Sequence, residues 1–270
     1  YDIQGKLVAF GGRTLSEEKD SAKYVNSPET RFYHKGSTLY LLHEAKKSIR
    51  DLDSAVIVEG YFDALTCHIF GFTNTVASLG TALTDEQVKL LGRFSKNLYF
   101  AFDADSSGQE AASRSLEIAQ RLGFTVRIIL MPSGKDPDEA LRENKQSWEQ
   151  AIATATDAMD YEFEKAFAGI DIKSLVGKKT VASRLFTIIG RLPDQISQEF
   201  YLKKLSGLLM ISYESLVSDF KRSLGKAFTL KTATSAAAEP AKRGFSRFEL
   251  LIGILANHPQ WGTTIQEKLK

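Results

Sequence analysis

Between residues 55 and 145 the chain alternates four short apolar runs with four helical patterns, and this alternation constrains its fold more than any other feature. Residues 55–58 (AVIV) are apolar at every position, as in a strand buried on both faces, and 64–70 follow with a helical pattern. Residues 75–77 are a weaker strand, after which Thr84-Asp85-Glu86-Gln87 reads as a capping box opening a helix to about Phe94. A third strand at 98–102 (LYFAF) precedes an amphipathic helix at 109–122, which Gly123 ends. The fourth strand, 125–131 (TVRIILM), leads through Pro132-Ser133-Gly134 into a short helix over 138–142. Such an order predicts an α/β domain, a parallel sheet with helices on both faces.

The character changes at either side. From about 147 to 225 no β-rich run occurs, and apolar residues fall at helical intervals, as in Val181, Leu185, Ile188 and Ile189, which predicts an all-α helical subdomain. Residues 229–244 (TLKTATSAAAEPAKRG) are poor in large apolar side chains and read as a linker. Residues 245–270 resume a helical pattern but are too few for a domain, so a further domain is expected to start there. Upstream, residues 3–10 look strand-like with no lead-in, and the chain begins at Tyr1, so a fragment of something longer is expected.

A net charge of +2 conceals a segregation. Residues 1–50 carry a net +3, 51–172 a net −10, 173–231 a net +7 and 232–270 a net +2, so an acidic middle lies between basic flanks. The single cysteine, Cys67, excludes an internal disulfide framework and any multi-cysteine zinc site in this chain, and fits a reducing compartment, so a cytoplasmic location is expected. No apolar run approaches the ~20 residues that cross a bilayer, and no membrane partner is expected.

Carboxylates cluster where the strands stop. The first strand runs into Glu59-Gly60-Tyr61-Phe62-Asp63, the third into Asp103-Ala104-Asp105, and the fourth into Lys135-Asp136-Pro137-Asp138-Glu139. In an open parallel sheet the ligand crevice lies beyond the carboxyl ends of the strands, so these turns should converge. Converging like charges oppose one another's ionisation unless a cation sits between them. A hard divalent ion such as Mg²⁺ fits, because it takes a few carboxylates and leaves positions for phosphate oxygens. Taken singly, the Asp103/Asp105 and Asp136/Asp138 turns have plain structural explanations, turn chemistry, a helix cap or a dipole partner, whereas Glu59 directly after four buried apolar residues is costly without a partner. Three such turns in one sheet require those explanations to coincide. Cys67 and His68 lie on a helix-like segment and are read as packing residues, and no G-x-x-x-x-G-K-[ST] or G-x-S-x-G motif occurs.

The basic N-terminal flank interleaves Arg13, Lys19, Lys23, Arg31, Lys35, Lys46, Lys47 and Arg50 with Tyr24, Phe32, Tyr33 and Tyr40, and a solvated surface accounts for at least half of the lysines. Cations beside a carboxylate-held metal suit polyphosphate chemistry, and cations with aromatics suit single-stranded nucleic acid. The polar loop at 23–30 (KYVNSPET) is the best local candidate for a nucleotide contact.

At these residues the chain resembles the bacterial DNA primases, in the Toprim (topoisomerase-primase) part of their RNA polymerase domain. The resemblance rests on Phe10-Gly11-Gly12-Arg13, the KYVNSPET loop, Phe32-Tyr33-His34-Lys35-Gly36, Leu39-Tyr40, Val58-Glu59-Gly60-Tyr61-Phe62-Asp63, residues 78–84 (SLGTALT), Phe102-Asp103-Ala104-Asp105 and Lys135-Asp136-Pro137-Asp138-Glu139, and covers roughly residues 1–145. It implies a catalytic set of Glu59, Asp103 and Asp105, an acidic metal cluster completed by Asp63, Asp136 and Asp138, and nucleotide or nucleic-acid contacts at Arg13, Lys23, Asn26 and Lys35. Glu59 is either a metal ligand or the general base. The implied cofactor is Mg²⁺ or Mn²⁺, with zinc expected only in the family's N-terminal zinc-binding domain, which has no counterpart here. The implied partners are a single-stranded DNA template, an RNA primer, ribonucleoside triphosphates and the replicative DNA helicase, at a replication fork. The implied division is 1–50 as part of the polymerase core, 51–145 as Toprim, 146–228 as helical bundle, 229–244 as linker and 245–270 as the start of the helicase-binding domain. The rivals are another Toprim enzyme, a nuclease or a topoisomerase cleavage domain, and a non-catalytic scaffold for nucleic acid or helicase. Primer extension, against shortened or protein-linked DNA, separates the enzymes.

Overall fold

The computed structural model describes residues 1–14, 24–78, 82–101, 106–131 and 136–236, with backbone alone at 13, 24, 106–112 and 225–236. Residues Tyr1–Phe220 form one compact unit and Lys221–Lys270 a second, of which the helical stretch to Ala236 is described.

The chain opens with a turn and a small hairpin. Residues 3–10 do not form the expected strand, because the Asp2 carboxylate accepts hydrogen bonds from the amides of Gln4 and Lys6 at 2.8 and 2.9 Å and curls the chain into an Asx-type turn. Pairing begins later, between β1 (Gly11–Arg13) and β2 (Tyr24–Asn26), antiparallel with Gly11 opposite Asn26. A short 3₁₀ turn, Lys35–Ser37, then leads into α1 (Leu42–Asp51).

The central sheet has the order β4-β3-β5-β6-β7. Its strands are β3 (Ala55–Val58), β4 (Thr75–Ala77), β5 (Asn97–Phe100), β6 (Thr125–Ile128) and β7 (Thr156–Asp157). The first four pair in parallel, as the alternation predicts, and β7 joins antiparallel to β6. That two-residue strand was not expected; it is too short to carry a period of its own and is defined by its partner.

Side chains leave each strand alternately to the two faces, and both faces are covered. Ala55, Ile57, Leu98, Phe100, Val126 and Ile128 pack with α1, with α3 (Asp85–Leu91) and with α4 (Ser106–Arg121). Val56, Val58, Ala101 and Ile129 pack on the other face with α2 (Tyr61–Ile69), α5 (Pro137–Glu143) and α6 (Lys145–Ala153), around the fully buried Trp148. The sheet unit therefore runs past residue 145, because Trp148 and β7 belong to it. The Thr84 box is present: its hydroxyl accepts from the Gln87 amide while the Gln87 side chain accepts from the Thr84 amide, at 3.1 and 3.0 Å.

Four helices follow, α7 (Ala158–Phe167), α8 (Leu175–Ile189), α9 (Gln195–Leu209) and α10 (Tyr213–Ala236). Asp157, Ser174 and Asp194 cap the first three through their side-chain oxygens. Phe163, Val181, Leu185, Ile189, Leu202, Leu205 and Phe220 form their shared core. Helix α10 continues to Ala236, so the first part of the expected linker is helical; Ala and Lys within it favour continuation. The rest of that linker and the expected domain start at 245–270 lie outside the described residues.

Candidate active site

The end of β3 organises the site. Its four residues are all buried, so the chain must surface at the next polar residue, and Glu59 stands there, half-buried. Gly60 is extended and caps α2, and the Asp63 carboxylate reaches back to accept its amide hydrogen at 3.0 Å. The contact is so close that a Cβ on Gly60 would lie 2.8 Å from Asp63 Oδ2. Helix α2 consequently starts at Tyr61, three residues before the expected 64, and brings Asp63 into its first turn, where the helix dipole favours a carboxylate. Asp63 is only 9% exposed.

Asp136 and Asp138 reach the same end of the sheet through α5, which packs on α2. Asp136 is the N-cap of α5, accepting from the Glu139 amide at 2.7 Å. Asp138 Oδ1 accepts from the Thr66 hydroxyl on α2 and from Arg142 Nε at 2.7 Å. Cys67 lies within the field of Asp63 and Asp138. Burial pushes its thiol up to about 12, and the negative charges of Asp63 and Asp138 add to that rise. His68 Nε2 donates to the Thr75 carbonyl oxygen, 2.8 Å away, and Cys67 is buried, so the packing role expected for both residues holds.

Asp103 and Asp105 lie outside the described residues. The strand leading to them, β5, ends beside β3, with Phe100 opposite Ile57 and the Ala101 amide donating to Ile57 O at 2.9 Å. Among the described residues no three His, Cys, Asp or Glu side chains come together to hold a metal ion. Glu59, Asp63, Asp136 and Asp138 are nevertheless all hard oxygen donors, while the neighbouring thiol is buried and protonated, and this donor chemistry fits a hard divalent cation rather than a softer ion.

Of the residues expected near a nucleotide, Lys23 lies outside the described residues and Arg13 is described in backbone only, paired with Tyr24. Lys35 opens the 3₁₀ turn, half-buried, and its amide donates to Glu29 Oε1 at 2.8 Å. The other Glu29 oxygen meets His34 Nδ1 at 2.7 Å, and these two partners hold the Glu29 carboxyl below its usual range. Asn26 ends β2, and its Oδ1 accepts from the Tyr61 phenol. The hairpin is thereby joined to the β3 end that carries Glu59. Sequence reasoning passed over Tyr61, Thr66 and Arg142. Only Arg142 had a readable signal, its i,i+4 spacing from Asp138.

Residues 1–46 match the family described as the N-terminal domain of the DNA primase catalytic core, 56–141 match Toprim-like, and 159–213 match the DnaB-helicase binding domain of primase. The structure of a DNA primase domain from Pseudomonas aeruginosa superposes with a TM-score of 0.72 at 35% identity, covering 80% of this chain and 68% of that one. The chain belongs to the bacterial DNA primase family. A curated DNA primase from Clostridium acetobutylicum is 38% identical over 228 residues, 83% of this chain and 38% of the relative. A DnaG primase catalytic domain bound to single-stranded DNA matches with a TM-score of 0.69 at 30% identity, over 79% of this chain and 68% of that one. The chain spans less than half the length of the curated primases it matches, 38%, 35% and 44% for the first three. The helicase-binding match falls on α7 to α9 and the start of α10, not on 245–270. The Toprim fold and the helical region after it agree with the primase catalytic cores.

Proposed function

We propose that the protein of which this chain is part is a DNA primase, a nucleotidyltransferase that makes short RNA primers on single-stranded DNA from ribonucleoside triphosphates. The observation that carries this reading is the primase-family fold, in which the Tyr61–Asn26 hydrogen bond joins the strand end bearing Glu59 to the hairpin bearing Asn26. Glu59, Asp103 and Asp105 form the catalytic set in this reading, and Asp63, Asp136 and Asp138 complete the acidic cluster. A bound Mg²⁺ or Mn²⁺ would supply charge neutralisation between these carboxylates and the triphosphate. Arg13, Lys23 and Lys35 meet phosphate oxygens as cations, and Asn26 donates from its amide. Glu59 either ligates or takes the proton of the attacking 3′-hydroxyl. That hydroxyl attacks the α-phosphate, the new phosphodiester forms, and pyrophosphate leaves.

The partners in this reading are the template, the primer and the replicative helicase, at a replication fork in the cytoplasm. A primase bound to single-stranded DNA among the structural neighbours supports the template, and the match at 159–213 supports the helicase. Among the described residues no helix is long and apolar enough to cross a membrane. Asp103→Asn in the intact protein is expected to lower primer synthesis on single-stranded DNA by about 10³-fold or more, on the scale of losing a principal electrostatic group. Activity within a few-fold of the parent would remove Asp103 from the catalytic set.

A further inference from the structure

Three residues from separate parts of the sequence meet at the Tyr61 hydroxyl. Tyr61 is the first residue of α2, two positions after Glu59. Its phenol donates to Asn26 Oδ1, and Asn26 is the register partner of Gly11 in the hairpin. The phenol reaches Asn26 by passing over Gly11, where a Cβ would lie 2.2 Å from the Tyr61 oxygen and 2.4 Å from Cζ. Any side chain at residue 11 would therefore displace the ring, which gives Gly11 a steric reason independent of its backbone angles. The ring is held from another side by Tyr40, edge-on with centroids 4.7 Å apart.

The chemistry of the contact is one-directional. A phenol is a hydroxyl donor and the Asn26 side-chain oxygen is an acceptor only, so the proton of the contact comes from Tyr61. An asparagine whose oxygen is pinned by a donor has its amide nitrogen, a double donor, fixed on the opposite side. A pre-set donor loses little rotamer freedom when an anionic ligand arrives.

We propose that Tyr61 is a positioning residue for nucleotide binding: by holding Asn26 Oδ1 it aims the Asn26 amide at the incoming ribonucleoside triphosphate and fixes the β1–β2 hairpin against the strand end that bears Glu59. This rests on the reading of Asn26 as a nucleotide contact. Tyr61 itself touches no reacting atom in this scheme.

Steady-state priming by the full-length protein on single-stranded DNA tests it, with Tyr61→Phe, Asn26→Ala and the double variant. Phenylalanine keeps the ring that packs on Tyr40 and removes only the hydroxyl, and an unchanged thermal midpoint checks that the fold is kept. Tyr61→Phe is expected to raise KM for the ribonucleotide about tenfold with kcat within about twofold, the size of one lost hydrogen bond to a binding group. Asn26→Ala is expected to do the same, and the double variant to add no further rise, because both changes remove one interaction. If Asn26→Ala raises KM and Tyr61→Phe does not, the positioning role is wrong while the nucleotide reading stands. Multiplying effects in the double variant, or a fall in kcat at constant KM for Tyr61→Phe, would equally overturn it. An unchanged KM in Asn26→Ala would instead remove the nucleotide reading of Asn26 and this inference with it.

Discussion

Asp138 takes both of its described hydrogen bonds on one oxygen, Oδ1, from Thr66 of α2 and from Arg142 one turn along its own helix. Two donors on one oxygen orient the carboxylate and fix the direction of Oδ2. Thr66 is 2% exposed, so its hydroxyl is spent inside the protein, whereas Arg142 is largely in solvent and contributes a weaker, screened contact. Thr66→Val keeps the shape and removes the donor, and is expected to cost about 1 kcal/mol, as for a typical buried hydrogen bond. Thr66→Ser should recover most of that loss. Urea midpoints at constant m-value measure both, and a Val variant as stable as the parent would show that the bond does not hold in solution. The acidic positions were readable only as charges that follow strand ends, because a carboxylate after a buried strand is conspicuous. Thr66 and Tyr61 were not, because a hydroxyl in a helix has no periodic or electrostatic signature until its partner, 72 or 35 residues away, is placed beside it.

Strands β3, β5 and β6 and helices α3 and α5 were legible because each carries its own signal, an apolar run or a capping pattern. The elements that were missed are those whose conformation is decided elsewhere. Residues 3–10 have strand composition, but the local bonds of Asp2 outcompete pairing, while Gly11-Gly12-Arg13, unpromising alone, pairs because β2 is opposite. Helix α2 began earlier than its apolar pattern because Gly60 and Asp63 cap it. This helix also holds Cys67, fully buried against the sheet, with its thiol pushed up to about 12 by burial and then by Asp63 and Asp138. In the native protein at pH 8 the thiolate is scarce, so reaction with Ellman's reagent should be roughly a thousandfold slower than in denaturant. The native rate should climb about tenfold per pH unit while staying far below the denatured rate near neutrality. Fast native labelling near pH 8 would mean that α2 opens or that the thiol is not shielded as described.

The near-neutral charge divides into an acidic sheet segment and basic flanks, and its cores divide as well. The two faces of the sheet share strands and cannot melt apart, but the core of α7 to α10 contains no sheet residue. What joins them is α7, whose Ala158 and Tyr161 face the sheet while Met159 and Phe163 face the bundle. An Arg191 to Glu117 ion pair at 2.6 Å adds a half-exposed link between the bundle and α4. A helix buried from both sides cannot be released from one core without uncovering the other, so residues 1–220 should unfold as one cooperative body. Leu185, fully buried in the bundle, tests this, because its truncation to alanine should cost about 2–5 kcal/mol locally. Cys67 reports from the far face of the sheet as the sole thiol in the chain. In Leu185→Ala, the denaturant midpoint for Cys67 labelling is expected to fall together with the midpoint of the helical circular dichroism signal, by the same amount. A loss of helical signal at a denaturant concentration where Cys67 is still protected would show that α7 does not couple the cores, and that the bundle can open while the sheet that carries the carboxylates stays folded.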